Sequence, residues 1–198
     1  MLGLRKTTTK VALTLGAFAA AASLTGLGTF ATFTGSATGG PEQITSASVT
    51  LNLGTTGAST NRFDVSASAV APGDTIQRSA DLINSGHALG AITLTTSASP
   101  SSVLDTDATN GLQMVIDKCS VPWTEAGVSP AFTYTCSGTT STVLASRRVI
   151  GANLALSNLS STTGGSTDHL RLTLALPVSA DNSYQNKTST LTYVFDGA

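Results

Sequence analysis

Apolar and polar residues alternate along much of the chain beyond residue 48. In the clearest stripe, residues 170–176, leucine occupies every second position. Successive side chains of a β-strand point to opposite faces of the sheet, so a period of two is typical of strands that bury one face. Comparable stripes begin at Val49, Phe63, Ile76, Ile92, Leu112, Phe132 and Leu191. Together the stripes predict about nine strands.

Turn residues separate several of these stripes. Pro72-Gly73-Asp74 and Asn84-Ser85-Gly86 each follow a predicted strand, and Gly, Pro, Asn and Asp are the residues that tight turns favour. Strands with one polar face are typical of antiparallel sheets. We therefore predict an all-β fold for residues 46–198, an antiparallel two-sheet sandwich of jelly-roll type. A short helix competes with strand only in residues 143–159, where the leucines have mixed spacing.

The N-terminus predicts a secretory signal peptide over residues 1–31. Three basic residues precede an uncharged apolar run, residues 11–24, and small residues follow near Ala31. The alternative is a retained membrane anchor, because residues 11–33 carry no charge and about 20 apolar residues span a bilayer. Gly, Ser and Thr interrupt the second half of that stretch, which favours cleavage.

Residues 32–45 are rich in Gly and polar residues, which predicts a flexible arm before the sandwich.

The charge of the chain narrows the function classes. The chain has 10 basic and 11 acidic residues, and loss of residues 1–31 removes three basic and no acidic ones, leaving a net charge of −4. Such a chain has no basic excess to neutralise phosphates, so we exclude nucleic acid as a partner. After cleavage we expect no membrane-bound segment.

Cys119 and Cys136 are the only cysteines. In an exported chain an isolated even pair predicts a disulfide. The alternative, a redox or metal-binding pair, requires the close Cys-x-x-Cys spacing that this chain lacks.

Several short motifs, taken in order, resemble the TasA/camelysin family of exported bacterial proteins, which carry signal peptides of the SipW-dependent type. The motifs are residues 26–33 (Gly-Leu-Gly-Thr-Phe-Ala-Thr-Phe), 71–74 (Ala-Pro-Gly-Asp), 84–86 (Asn-Ser-Gly), 167–173 (Thr-Asp-His-Leu-Arg-Leu-Thr) and 183–187 (Ser-Tyr-Gln-Asn-Lys). The resemblance covers most of the chain. Residues 118–138, around the cysteine pair, depart from the family pattern.

The resemblance implies an exported, non-enzymatic structural protein of the cell surface or biofilm matrix. A dedicated signal peptidase is its implied partner during export, and self-association or related matrix subunits are implied afterwards. Family members of the TasA type form fibres by donating an N-terminal strand to the next subunit. In this chain the implied donor strand carries Phe33, Val49, Leu51 and Leu53. The alternative for the last three is pairing within their own domain.

Two other functions remain open from the sequence. Camelysin relatives carry a metallopeptidase label, for which His87 and His169 are the candidate metal ligands. No His-Glu-x-x-His run is present, and adjacent Asp168 and His169 point to opposite faces of a strand. We therefore expect no catalytic residues, no metal and no cofactor. The third possibility is a monomeric surface-binding module on the same sandwich.

Overall fold

Two antiparallel sheets and a small hairpin account for the strands in the computed structural model, which describes residues 50–63, 65–68 (backbone only) and 70–198. Sheet A contains, in spatial order, β1 (Leu51–Leu53), β3 (Thr75–Asn84), β10 (Ser166–Ala175), β5 (Gln113–Cys119) and β8 (Thr140–Arg148). Sheet B contains β2 (Val65–Ser68), β11 (Thr188–Gly197), β4 (Ile92–Ala98) and β9 (Gly151–Ala155). The hairpin pairs β6 (Thr124–Ala126) with β7 (Thr133–Thr135). One helical turn, α1 (Val103–Thr106), and one 3₁₀ turn (Asn182–Tyr184) complete the described elements.

The inner faces of the two sheets share one hydrophobic core. Leu82, Ile116 and Leu172 of sheet A and Leu94 and Leu191 of sheet B are all buried in the same cluster. Every pairing between strands in both sheets is antiparallel. The predicted all-β class and its antiparallel sandwich-like arrangement are therefore confirmed.

The leucine stripe predicted for residues 170–176 forms the middle of sheet A. The four leucines are fully buried, whereas His169 and Arg171 lie on the opposite face. The predicted turns also form. Gly73 has φ of 92°, a conformation that costs glycine little, and the Asn84 side chain accepts a hydrogen bond from the Gly86 N–H.

The competing helix over residues 143–159 is wrong. This stretch contains the end of β8 and all of β9. Its mixed spacing has a structural cause, because Val143 and Leu144 are neighbours yet both are buried, and the β5–β8 register shifts on either side of Ile116. A bulge places two residues of one strand opposite one of its partner and interrupts the alternation of faces.

The signal peptide of residues 1–31, the arm of residues 32–45, and the donor positions Phe33 and Val49 lie outside the described residues. Within the described part, no helix has the length and hydropathy needed to cross a membrane.

Candidate functional site

One side of the sandwich is bordered by short strands. Sheet A ends there on β1, which pairs with only the last three residues of β3, and sheet B ends on β2, which pairs with the first four residues of β11. On the opposite side, β8 and β9 follow one another along the chain with only residues 149 and 150 between them. We call the side bordered by β1 and β2 the open side.

The second half of β11 has no strand beside it on the open side, among the described residues. Thr190 exchanges backbone hydrogen bonds with Ser99 and Pro100 on the β4 side. Because backbone groups alternate in direction along a strand, Tyr193 and Phe195 turn their N–H and C=O groups to the open side. The pairing with β2 stops at Leu191, before it reaches them. This part of β11 is an edge that a strand can pair with.

A notch of about 220 Å³ lies between β1 and this edge of β11. Its walls are mainly apolar: Leu51, Asn52, Leu53, Leu82, Tyr193, Val194 and Phe195. The Tyr193 hydroxyl is buried without a hydrogen-bond partner in the described structure, and burial raises its pKa. The two β1 leucines are only partly buried, so β1 packs against a core that is incompletely filled at this point.

The structure places two of the predicted donor residues within their own domain. Leu51 lies opposite Asn84 and Leu53 lies opposite Leu82, both on β3 of the same chain. β1 is three residues long, at the edge of the sheet, and next to the notch. Strands with few buried contacts open locally at low free-energy cost.

Residues 54–63, the crossing segment, lead from β1 on sheet A to β2 on sheet B. Three backbone hydrogen bonds attach the segment to β3: Gly54 N–H to Asp81 O (3.1 Å), Asp81 N–H to Thr60 O (2.7 Å) and Arg62 N–H to Ser79 O (2.7 Å). At its end, the Phe63 ring packs against the rings of Tyr193 and Phe195, at centroid distances of 5.4 and 6.1 Å. The crossing segment therefore covers part of the open side.

Residues 120–135, the flap, lie on the outer face of sheet A and contain the β6–β7 hairpin. Cys119 at the end of β5 is joined to Cys136 by a disulfide, with 5.7 Å between the Cα atoms. The Trp123 indole N–H donates to the backbone oxygen of His169 (2.8 Å), and the Tyr134 N–H donates to the Gln77 side chain (3.1 Å). Cys119, Trp123 and Tyr134 form a second small core, separate from the main one.

One ion pair joins the flap to the crossing segment. The Arg62 guanidinium donates from Nε and Nη2 to the two carboxylate oxygens of Glu125, at 2.5 and 2.7 Å. These hydrogen bonds are the main cause of a Glu125 pKa below its usual range, and the Tyr134 hydroxyl adds another donor at 2.8 Å. Sequence reasoning missed both charged residues, since neither lies in a motif. The only signal for Arg62 was a charge directly before the apolar stripe that begins at Phe63, and Glu125 had none beyond being one of few charges in the chain.

A second, more buried ion pair joins β5 to β10. Lys118 Nζ lies 3.0 Å from Asp168 Oδ1, and the Ser161 N–H donates to Asp168 Oδ2 at 2.7 Å. Burial of Asp168 opposes ionisation, but the hydrogen bonds from Ser161, Ser160 and Lys118 outweigh it and lower the pKa of the carboxyl. The pair fixes the end of the two central strands.

The two histidines do not come together with other ligands. His169 Nδ1 lies 2.6 Å from Asp81 Oδ1 on the outer face of sheet A, while Asp168 points to the other face, as its strand position predicts. His87 is exposed in the loop after β3. Within the described residues, no group of three or more His, Cys, Asp or Glu side chains has an arrangement that could hold a metal ion.

No protein-family model matches the chain, and no curated protein matches it either. The residues themselves therefore carry the functional argument.

The lowered carboxylate pKa values predict how stability depends on pH. Hydrogen bonding lowers the pKa of Glu125 and Asp168, and the Tyr184 hydroxyl is the main cause that lowers the pKa of Asp107 to about 2. A group with a lowered folded-state pKa stabilises the fold above its unfolded pKa, and this contribution is lost as the pH falls through the folded-state value. We expect the free energy of unfolding to be level between about pH 5 and 8 and to fall below about pH 4.

Urea unfolding at pH 7, 5, 4 and 2.5 measures this dependence. Asp107→Asn removes one of these contributions, so the stability of the variant should decline less between pH 4 and 2.5 than that of the unmodified chain. A loss of stability that is already complete between pH 7 and pH 5 would contradict the assignment to these carboxylates.

Proposed function

We propose that this chain is an exported, non-enzymatic structural protein of the bacterial cell surface or biofilm matrix, with a sandwich of jelly-roll type. A signal peptidase removes residues 1–31 during export. The mature chain then associates with further copies by exchanging its N-terminal strand. The disulfide supports export, because such bonds persist in oxidising compartments outside the cytosol.

The observation that carries the assembly proposal is the state of β1. It is a three-residue edge strand with partly buried leucines, it borders the notch, and it is the first described element of the chain. Most of the fold lies after it and includes both sheets and their shared core. β1 can therefore leave its own β3 while the rest of the sandwich remains folded.

Exchange needs no new kind of contact. When β1 of a second copy takes the vacant place on β3, it restores the same three residue pairs and the same leucine packing. Domain swapping of this type is a low-cost route to oligomers, since the exchanged element finds an identical environment. The crossing segment acts as the hinge, and its ten residues extend over about 33 Å when fully stretched. High concentration, as in a matrix, favours the exchanged state.

The secreted mature protein provides the test. N-terminal sequencing determines whether cleavage removes residues 1–31, and light scattering with electron microscopy measures size and shape over a range of concentrations. We expect oligomers or fibres whose amount grows with concentration and with added preformed seeds. A strictly monomeric protein, unchanged by seeds at the highest soluble concentration, would contradict strand exchange and favour a monomeric binding module.

A further inference from the structure

The Arg62 guanidinium, the one cationic group of the crossing segment, is engaged on three sides. Besides its two hydrogen bonds to Glu125, it donates from Nη1 to the Gly57 backbone oxygen at 2.7 Å, within the crossing segment itself. Its carbon Cζ lies 4.2 Å from the centre of the Phe132 ring, a distance suited to a cation–π contact. Arg62 therefore joins the middle of the crossing segment to two residues of the flap.

Glu125 is held in position by the flap. It lies on β6 directly opposite Tyr134 of β7, whose hydroxyl donates to the same carboxylate. The flap is attached to sheet A by the disulfide, by Trp123, and by Arg78, which donates to the Pro130 backbone oxygen at 3.1 Å. A charge-assisted pair with two parallel hydrogen bonds is strongest when both partners are held in this way.

The position of this contact matters for exchange. The crossing segment can extend over its full length towards a second copy only when all three of its backbone hydrogen bonds to β3 are broken, including those at Thr60 and Arg62. While Glu125 holds the Arg62 side chain, the backbone hydrogen bond from Arg62 to Ser79 is reinforced by a second, independent attachment of the same residue. The flap is thus a restraint on the same hinge that the proposed exchange must open.

We propose that the flap is an autoinhibitory latch, in which the Glu125–Arg62 ion pair keeps the crossing segment on β3 and limits the release of β1 to a second copy. This inference rests on the proposed function for its biological role.

The chain contains a matched control pair. Arg171 lies 3.0 Å from Asp117 and places its Cζ 4.4 Å from the centre of the Trp123 ring, so it has the same combination of ion pair and aromatic contact. The two charged residues of this pair, Arg171 and Asp117, lie on β10 and β5, which are neighbouring strands inside sheet A. Asp117→Asn therefore removes a comparable pair without touching the crossing segment.

Hydrogen exchange of the full mature chain, kept dilute and monomeric, measures the latch directly. In Glu125→Gln the Gln oxygen still accepts from Tyr134, but the ionic partner of Arg62 is lost. We expect hydrogen exchange of the amides of residues 51–62 to become about fivefold faster. Loss of one partly exposed charge-assisted pair should raise the population of the open state by about this factor. Asp117→Asn should leave these amides unchanged. Arg62→Lys keeps the positive charge but cannot form the two parallel hydrogen bonds to Glu125, so it should increase the exchange rate by an intermediate amount.

Seeded assembly of the same variants separates the latch from the proposed function. Glu125→Gln should shorten the lag before assembly about fivefold, in step with its faster opening. Equal exchange in Glu125→Gln and the unmodified chain would overturn the latch, as would a rise spread evenly over the whole sandwich or a faster opening that leaves the lag unchanged. If residues 51–62 open faster while no variant assembles, the restraint on β1 is upheld and the proposed function is the part overturned.

Discussion

A chain with cysteines in place of Asn52 and Ile83 is expected to lose assembly entirely once the new pair is oxidised. These residues lie opposite each other on β1 and β3, and neither is buried. The backbone bonds of Gly54 to Asp81 and of Ser85 to Thr50 make Asn52 and Ile83 a hydrogen-bonded pair. Cα atoms in such pairs are about 5.5 Å apart, which a disulfide can span. The staple fixes β1 to its own sheet, so exchange has no route.

Seeded assembly followed by light scattering measures this effect, after peptide mapping has verified both disulfides. The matched control is the double variant Asn52→Ser and Ile83→Ser, which changes the same two positions without a covalent bond and should still assemble. If a fully stapled chain assembles as fast as this control, then assembly does not require β1 to leave its own sheet, and the proposed strand exchange through β1 is wrong.

Loss of the natural disulfide is expected to give the largest change in stability. In the double variant Cys119→Ser and Cys136→Ser, the unfolded chain regains the freedom of a 17-residue loop. The chain-entropy model predicts a loss of about 3 kcal/mol, which for a domain of this size lowers the midpoint of thermal unfolding by about 6–12 °C. The flap also loses its covalent base, so its small core around Trp123 should open before the main core does.

Chemical and thermal unfolding of the full chain test this prediction. The denaturant m-value should rise as well, because an unfolded chain without the cross-link exposes more surface. Ser137→Ala, an exposed substitution next to Cys136, is the control and should change stability by less than about 0.5 kcal/mol. A double variant as stable as this control would contradict a structural role for the disulfide.

The parts of the fold that sequence could predict are those where one side faces water and the other faces the main core. Residues 170–176 and 191–195 follow this rule, and their stripes correspond to β10 and β11. The rule fails for strands whose faces do not alternate regularly or that are too short for alternation to be detected. β8 buries neighbouring residues at a bulge, and β6 is too short to show a period.

One predicted stripe was located correctly but faces a different environment. Phe132, Tyr134 and Cys136 share one face of β7 and its flanks, as their alternation indicates. They line the small core beneath the flap, outside the main core between the sheets. Periodicity identifies a buried face without saying what buries it.

The candidate site was the least predictable part of the chain. The sequence pointed to Leu51 and Leu53, but it could not indicate that they border a notch, because that depends on where β2 stops beside β11. The contact between Arg62 and Glu125 joins residues 63 positions apart and exists only once the flap has folded onto sheet A. Local pattern carries no information on such a pair.

If copies associate as proposed, the position of β1 and of its partner strand β3 also affects the geometry of the assembly. Both lie on the open side, so under the proposed exchange two copies that face each other across it would trade strands mutually and stop at a closed, two-fold pair. An unlimited chain arises only when a strand reaches a copy that faces another way, and the ten residues of the crossing segment are the tether that must span that gap. If copies associate as proposed, the length of this tether therefore sets the balance between finite pairs and continuous filaments, independently of how tightly β1 itself binds.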